Sequence, residues 1–217
     1  DDITISKAEI GLFGYLECET LDDLFLNAGI RYNKAEYAFS QRNVAIDAKE
    51  TPDDWVSMGG LKYEYAKGSN VHFNFQETFL FLSTDEWYST ANFPSFGITP
   101  GLNLGLNQQR GYQYELGVKH NFNEKIEVSV LPYYMKIRDE IFFDPVTFAN
   151  SNYDKTQRIG VEVGSKFDLL KFLNQNFFII NKLDKLEFFT TYTYQNPTFT
   201  NGPNDGKDIP RVPHDMA

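Results

Sequence analysis

Few residues in this chain have the types and spacing that catalysis needs. The three histidines, His72, His120 and His214, stand far apart, and neither an H-E-x-x-H zinc spacing nor a Gly-x-Ser-x-Gly elbow occurs. Carboxylates pair at Asp22-Asp23, Asp53-Asp54, Asp85-Glu86 and Asp139-Glu140. An acid–base couple needs two environments that drive the pKa values apart, and adjacent acids in turns or loops are ordinarily solvated. The sharper use of such pairs is a surface divalent cation at strand ends. His72 reads as an ordinary residue on a polar face, with ligand contact as the alternative. Cys18, alone, makes neither an internal disulfide nor a Cys-rich metal cluster. The residues therefore predict no enzyme, no metal site and no cofactor.

One stretch does combine groups suited to binding. Asp85-Glu86-Trp87-Tyr88-Ser89-Thr90-Ala91-Asn92-Phe93-Pro94-Ser95-Phe96 continues to Gln108-Gln109-Arg110 and joins aromatic rings to amides and a guanidinium. A large ligand with an apolar face and acceptor oxygens would use both kinds of group. Trp87, Tyr88, Phe93 and Arg110 are the expected ligand contacts. The plainer alternative is a loop folded on its own aromatics, or a girdle at a membrane surface.

The elements that would hold this stretch are strands. The 217 residues are 41% hydrophobic and 23% charged, which suits one folded domain or part of one. A formal charge of −10 has the wrong sign for neutralising nucleic-acid phosphates. No window approaches the ~20 consecutive apolar residues of a spanning helix, and residues 1–4 open no signal peptide. Two-residue alternation recurs in about eight runs, which predicts an all-β protein. Tyr112, Tyr114, Leu116 and Val118 alternate with Gln113, Glu115, Gly117 and Lys119. Similar alternation marks Leu24 to Asn33, Val71 to Thr78 and Ile159 to Phe167, and weaker runs lie near 8–19, 55–66, 126–141 and 186–195. In the 126–141 run the apolar set moves from Ile126, Val128 and Val130 to Leu131, Tyr133, Met135 and Ile137, which predicts a bulge or a loss of one-sidedness.

Connection lengths alternate too. Tight connections at 20–23, 67–70 and 121–124 take turns with long ones at about 40–54, 84–110, 142–156 and 196–210. Short turns at one end and long loops at the other are the habit of outer-membrane barrels, with runs long enough for the ~9–11 residues that cross a bilayer at a tilt. Tyr32, Tyr37, Tyr63, Tyr65, Tyr192 and Tyr194 would form interfacial girdles. Residues 168–185 break the rule, reading as a helical turn and an interfacial insertion. An open sheet in lipid would leave backbone groups unsatisfied, so the eight or nine strands of residues 1–217 are expected to be part of a larger antiparallel transmembrane β-barrel.

Three segments resemble the TonB-dependent receptor family, the large plugged barrels that import iron chelates, cobalamin or sugars. Gln113-Tyr114-Glu115-Leu116-Gly117-Val118-Lys119 looks like the family's "YELGVK" strand, although the preceding Leu106-Asn107-Gln108-Gln109 lacks its usual Pro-Glu pair. Tyr133 to Ile141 resembles the tyrosine-rich strand ending in "DEI", followed by the "R-x-G-V-E" strand at Arg158 to Val163. Phe189 to Tyr194 and then Gly206-Lys207-Asp208-Ile209-Pro210-Arg211-Val212-Pro213-His214 resemble the tyrosine strand, loop and "P-R-V-P-x-H" start. Gly29-Ile30-Arg31-Tyr32 is similar to the family's "GIRY" strand. The resemblance implies a barrel of ~22 strands in the outer membrane of a Gram-negative-type bacterium. It also implies a small-molecule ligand such as a siderophore-like iron chelate, and the partner complex TonB-ExbB-ExbD, reached through a plug domain not recognisable in these residues. No nucleic acid is expected as a partner. The alternatives are a passive porin-like channel and a soluble carbohydrate-binding β-sandwich, which would bury the Tyr112/Tyr114/Leu116/Val118 face against a second sheet.

Overall fold

The computed structural model of the chain describes residues 3–42, 46–89, 95, 100–103, 105–146, 148–172 and 186–216. Eight long strands carry the fold: β1 (Ile3–Leu21), β2 (Leu24–Gln41), β4 (Asp53–Ala66), β5 (Ser69–Leu80), β8 (Gln109–Phe122), β9 (Ile126–Asp144), β10 (Ala149–Asp168) and β11 (Glu187–Phe199). Short strands are β3 (Ile46–Glu50), β6 (Tyr88–Ser89), β7 (Gly101–Leu102) and β12 (Asp215–Met216). Two single α-helical turns, α1 (Thr84–Trp87) and α2 (Leu169–Phe172), and a 3-10 turn at Gly202–Asn204 complete the elements of the described residues. Ten of the strands form one antiparallel sheet in the order β1-β2-β4-β5-β8-β9-β10-β11-β12, with β3 also on β2, β6 and β7 pair as a separate small ribbon, and the barrel is not closed within this chain.

Antiparallel pairing of sequence neighbours puts the turns at Asp22-Asp23, Lys67-Gly68 and Asn123-Glu124-Lys125 at one end, together with α2. The β2–β4, β5–β8 and β11–β12 connections open from the other end, as the connection lengths predict, and the β9–β10 connection at that end is short. Two left-handed residues in a row, Asn123 (φ 53°) and Glu124 (φ 58°), make the third turn the tight mirror-image kind that suits twisted hairpins. The Asn121 carboxamide oxygen accepts the Glu124 N–H at 2.8 Å, which holds that conformation. Lys67 reaches across from the neighbouring turn to Glu124, whose carboxyl its hydrogen bond holds below the ordinary range.

Two expected loops are largely strand. Residues 46–50 continue the β2 ladder in the same register as β4, Tyr37 facing Glu50 and Lys34 facing Asp53, with Thr51-Pro52 as the break between them. Proline lacks the ladder N–H, but its carbonyl still accepts from Ala35 at 2.9 Å. The expected loop 142–156 is instead the tip of a long hairpin, with β9 paired to β10 from Ile126↔Phe167 to Asp144↔Ala149.

Strand register assigns every residue to a face. Leu24, Leu26, Ala28 and Ile30 of β2 line up with Tyr63, Leu61, Gly59 and Ser57, and across the sheet Val71, Phe73 and Phe75 pair with Val118, Leu116 and Tyr114. These share the outer face with Val130, Val163 and Tyr192. Most of these apolar residues stand open, Leu116 at 51% and Ile30 at 53% exposed, and among the described residues no second sheet covers them. The opposite, lumenal face carries Asn27, Lys62, Asn74, Glu115, Glu162 and Lys166. A one-residue slip would place Lys119 in hydrocarbon, at ~2–4 kcal/mol near the midplane. Spin labels walked along residues 112–119 are expected to alternate between lipid-soluble and water-soluble quenchers. Uniform water access along the run would contradict the assignment.

Tyr32, Tyr63, Tyr65, Tyr192 and Tyr194 lie on the outer face where girdles need them, and Tyr32 packs on Trp55 with centroids 4.8 Å apart. Tyr37 does not join them. It is 4% exposed and lumenal, and its hydroxyl donates to the Leu82 carbonyl at 2.5 Å.

The 126–141 run keeps a constant register through residue 137, so its apolar residues occupy both faces and no bulge lies at the phase change. The backbone irregularity comes later, at Asp139 (φ 55°). Beyond it the alternation reverses, and Glu140 meets Thr156 and Arg158 on the lumenal side.

Two lumenal rings lie over glycines on the neighbouring strand. A Cβ at Gly160 would sit 2.5 Å from the Tyr133 ring and 2.6 Å from the Tyr194 carbonyl oxygen, and one at Gly117 would sit 2.1 Å from the His72 ring. Only glycine leaves room for such rings.

Candidate functional site

The segment after β5 folds back onto the lumenal wall. Ala35, Tyr37 and Phe39 of β2, all apolar at odd positions, make a platform that receives Phe81, Leu82, Trp87, Tyr88 and Leu106. Trp87 packs against Tyr37 with ring centroids 5.3 Å apart, and Tyr88 stacks on Phe39 at 5.3 Å and 26°. The turn α1 starts at Ser83, whose N–H donates to the Glu86 carboxylate at 2.8 Å. A hydrogen bond from Ser83 holds the Asp85 carboxyl below its ordinary range.

Asparagines pin the returning half of the segment. The Asn103 N–H donates to the Trp87 carbonyl at 2.8 Å, and its side chain donates to the Asn150 carbonyl at 2.5 Å. Asn152 accepts from the Asn107 N–H at 2.7 Å and donates to the Asn107 and Asp139 carbonyls at 3.0 and 2.7 Å. These bonds satisfy backbone groups of an otherwise irregular stretch, which burial requires.

Between this segment and the wall lies a cavity of about 630 Å³ bordered by Tyr37, Glu50, Trp87, Asn107, Gln108 and Asp139. It offers two rings, two amides and two carboxylates. A second cavity of about 620 Å³ lies on Lys7, Glu9, Arg31 and Asn33. There Lys7 pairs with Glu9 at 2.5 Å and Arg31 donates to the Asn33 side-chain oxygen at 2.7 Å. Among the described residues no group of three or more His, Cys, Asp or Glu side chains could hold a metal ion.

The four residues expected from sequence to bind ligand are not all brought together. Trp87 and Tyr88 lie side by side, 3% and 5% exposed, with the Trp87 ring at the edge of the larger cavity. Phe93 lies outside the described residues. Arg110 opens β8 on the outer face, opposite Phe79 and Arg138, and forms an ion pair with Asp54. The platform Ala35-Tyr37-Phe39 and the Asn103/Asn107/Asn152 set were missed in the sequence. The platform did leave a signal: on β2 the apolar phase passes from even positions, ending at Tyr32, to odd ones from Ala35.

Comparison with known proteins supplies the wider setting. A family model described as TonB dependent receptor-like, beta-barrel matches residues 2–217. No curated protein sequence matches the chain. Among solved structures, the ferric-catecholate import receptor Fiu from E. coli K12 superposes with a TM-score of 0.65 at 15% identity, covering 98% of this chain and 31% of that one. The ferric yersiniabactin uptake receptor FyuA from Yersinia pestis gives 0.67 at 14% identity, covering 98% and 30%. The siderophore receptor PiuA from Acinetobacter baumannii gives 0.65 at 16%, covering 99% and 30%. The chain spans about a third of the length of these structures, and the likeness is one of fold.

Proposed function

The chain belongs to the TonB-dependent receptor-like β-barrel family, and from that premise we propose that it forms part of the wall of an outer-membrane receptor that takes up a chelated metal, siderophore-like, or a similar nutrient. Uptake would draw energy from TonB-ExbB-ExbD through a plug domain. The observation that carries this reading is the lumenal cavity beside Leu82, Trp87 and Leu106, bordered also by Tyr37, Asn107, Gln108, Glu50 and Asp139. A chelate has apolar faces for the rings and polar edges for the amides, and such sites combine both. Trp87 is the contact among the sequence candidates that borders this space, Tyr88 and Phe93 belong to the same segment, and Arg110 fastens the start of β8 to Asp54. In a passive channel a segment packed into the lumen would only narrow the path.

The test uses the full-length receptor in cells, with radiolabelled iron offered on a panel of ferric chelates. Gln108→Ala, which removes an amide from the cavity, is expected to weaken binding of the transported chelate several-fold. Deletion of the inner-membrane partner should abolish accumulation while leaving surface binding. Accumulation that persists without that partner would mean a passive channel.

A further inference from the structure

Lumenal lysines of this sheet are neutralised in place: Lys62 pairs with Glu64, Lys119 with Glu127 and Lys166 with Glu187, all within 2.8 Å. The outer face differs at one spot. Register places Arg110, Lys136, Arg138 and Lys155 there together, because Arg110 faces Arg138, Arg138 faces Lys155, and Lys136 faces Tyr112. The four line one depression of about 320 Å³, walled by Trp55 and Tyr112. Arg110 is engaged by Asp54, whereas among the described residues Lys136, Arg138 and Lys155 have no carboxylate partner. The one acid in the depression, Glu77, is taken by the Ser57 N–H and hydroxyl at 2.9 and 2.7 Å.

The position of this cluster narrows what could occupy it. Below it the outer face is apolar, through Tyr134, Val130 and Val128 on β9 and Tyr112, Tyr114 and Leu116 on β8. The cluster begins where this band ends, at the end of the sheet that bears the long connections. In a chain with formal charge −10, three unpaired cations beside aromatic girdle residues form a local field opposite in sign to the rest of the molecule. Long basic side chains at that depth meet lipid headgroups, and anionic headgroups attract them.

We propose that Lys136, Arg138 and Lys155 hold the phosphate groups of an outer-leaflet lipid, with Trp55 and Tyr112 against its glycerol or sugar portion. This rests on the reading of the outer face as lipid-facing, with the long connections extracellular. The cations supply charge to phosphate monoesters, Arg138 can bind one through two parallel N–H donors, and the rings cover apolar area at the headgroup level.

The experiment uses the full-length receptor, purified free of lipid and exposed to phosphatidylcholine vesicles with or without diphosphorylated lipid A. The triple variant K136Q/R138Q/K155Q is expected to lose affinity for the lipid A vesicles on the order of a hundredfold, from roughly a factor of five per cation at a membrane surface. Lys119→Gln, which removes a lumenal cation, should bind as the unmodified protein does. A large excess of inorganic phosphate should fail to displace the lipid. Equal binding by the triple variant would overturn the proposal, and so would full displacement by inorganic phosphate, which would mark a site for free anions. A spin label at Leu116 separates this from the underlying reading. Lipid contact there with unchanged lipid A binding sinks the headgroup site alone, whereas loss of lipid contact sinks both.

Discussion

Replacing Trp87 with alanine is expected to free the described residues among 83–89 and 101–106 from the lumenal wall while the strands stay paired. The ring is almost fully buried between Tyr37, Phe39 and the returning chain. Truncating such a residue costs about 3–5 kcal/mol in transfer and cavity terms. That loss falls on a segment whose remaining hold is the packing of Tyr88 and Leu106 and a few hydrogen bonds, so local opening becomes more common without global unfolding. Amide exchange in the full-length protein reads it directly. The N–H groups of Asn103 and Leu106, bonded to Trp87 and Asn103 carbonyls, should exchange much faster, while those of residues 112–119 should not change. Trp87→Phe should restore most of the protection. If the alanine variant exchanges normally at Asn103 but binds chelate poorly, Trp87 acts by touching ligand. If protection and binding fall together and phenylalanine rescues both, it acts by placing the segment.

Arg158→Ala should have an effect of similar size by a different route. Arg158 donates to both oxygens of Glu140, at 2.5 and 3.3 Å, and the Thr156 hydroxyl adds a third bond at 2.5 Å. The two charged side chains are 13% and 15% exposed. Removing the guanidinium leaves a carboxylate with one hydroxyl donor in a poorly solvated place, at about 3–5 kcal/mol, whereas removing both charges together can be nearly neutral. The double variant with Glu140→Met and Arg158→Met is therefore expected to be more stable than Arg158→Ala. Limited proteolysis at the 144–149 tip and amide exchange along 138–158 would measure the difference. Equal behaviour of the single and double variants would show the ion pair to be a spectator.

Much of the wall could be read from sequence because lipid and water sort alternate residues, and that sorting repeats in strand after strand. Tyr112 to Lys119 shows it without exception, and Ile159 to Phe167 with Ser165 alone breaking it. Legibility fails where the outer solvent stops being hydrocarbon. On β2 the apolar set changes phase after Tyr32, because Ala35, Tyr37 and Phe39 pack inward on Phe81, Leu82, Trp87, Tyr88 and Leu106. Tyr37 then looks like one more girdle tyrosine. On β9 the same mixture, Val130 outward and Leu131, Tyr133 and Met135 inward, imitates a bulge. The strand extensions past residue 142 and at 46–50 were hidden for a related reason. Above the membrane nothing sorts their faces, and Asn, Asp and Thr suit a solvated strand as well as a loop. For the site, the aromatics of 85–96 marked the right segment. Which of them faces space and which faces protein depends on the platform across the sheet, information carried some fifty residues away.

The rings that lie over Gly117 and Gly160 bear on how such a wall assembles. Alternation forbids a neighbouring strand from sliding by one residue, but a slide by two returns every side chain to its proper solvent and costs the pattern nothing. Between Val128 and Tyr134 an aliphatic band displaced by two positions still meets lipid. What it cannot do is bring Tyr133 over a residue without a Cβ, since the positions two away from Gly160 are Arg158 and Glu162. His72 has the same constraint: the positions flanking Gly117 by two are Glu115 and Lys119. Each ring and its notch thus act as a detent, a mechanical click that distinguishes the correct alignment from its nearest solvent-compatible rivals.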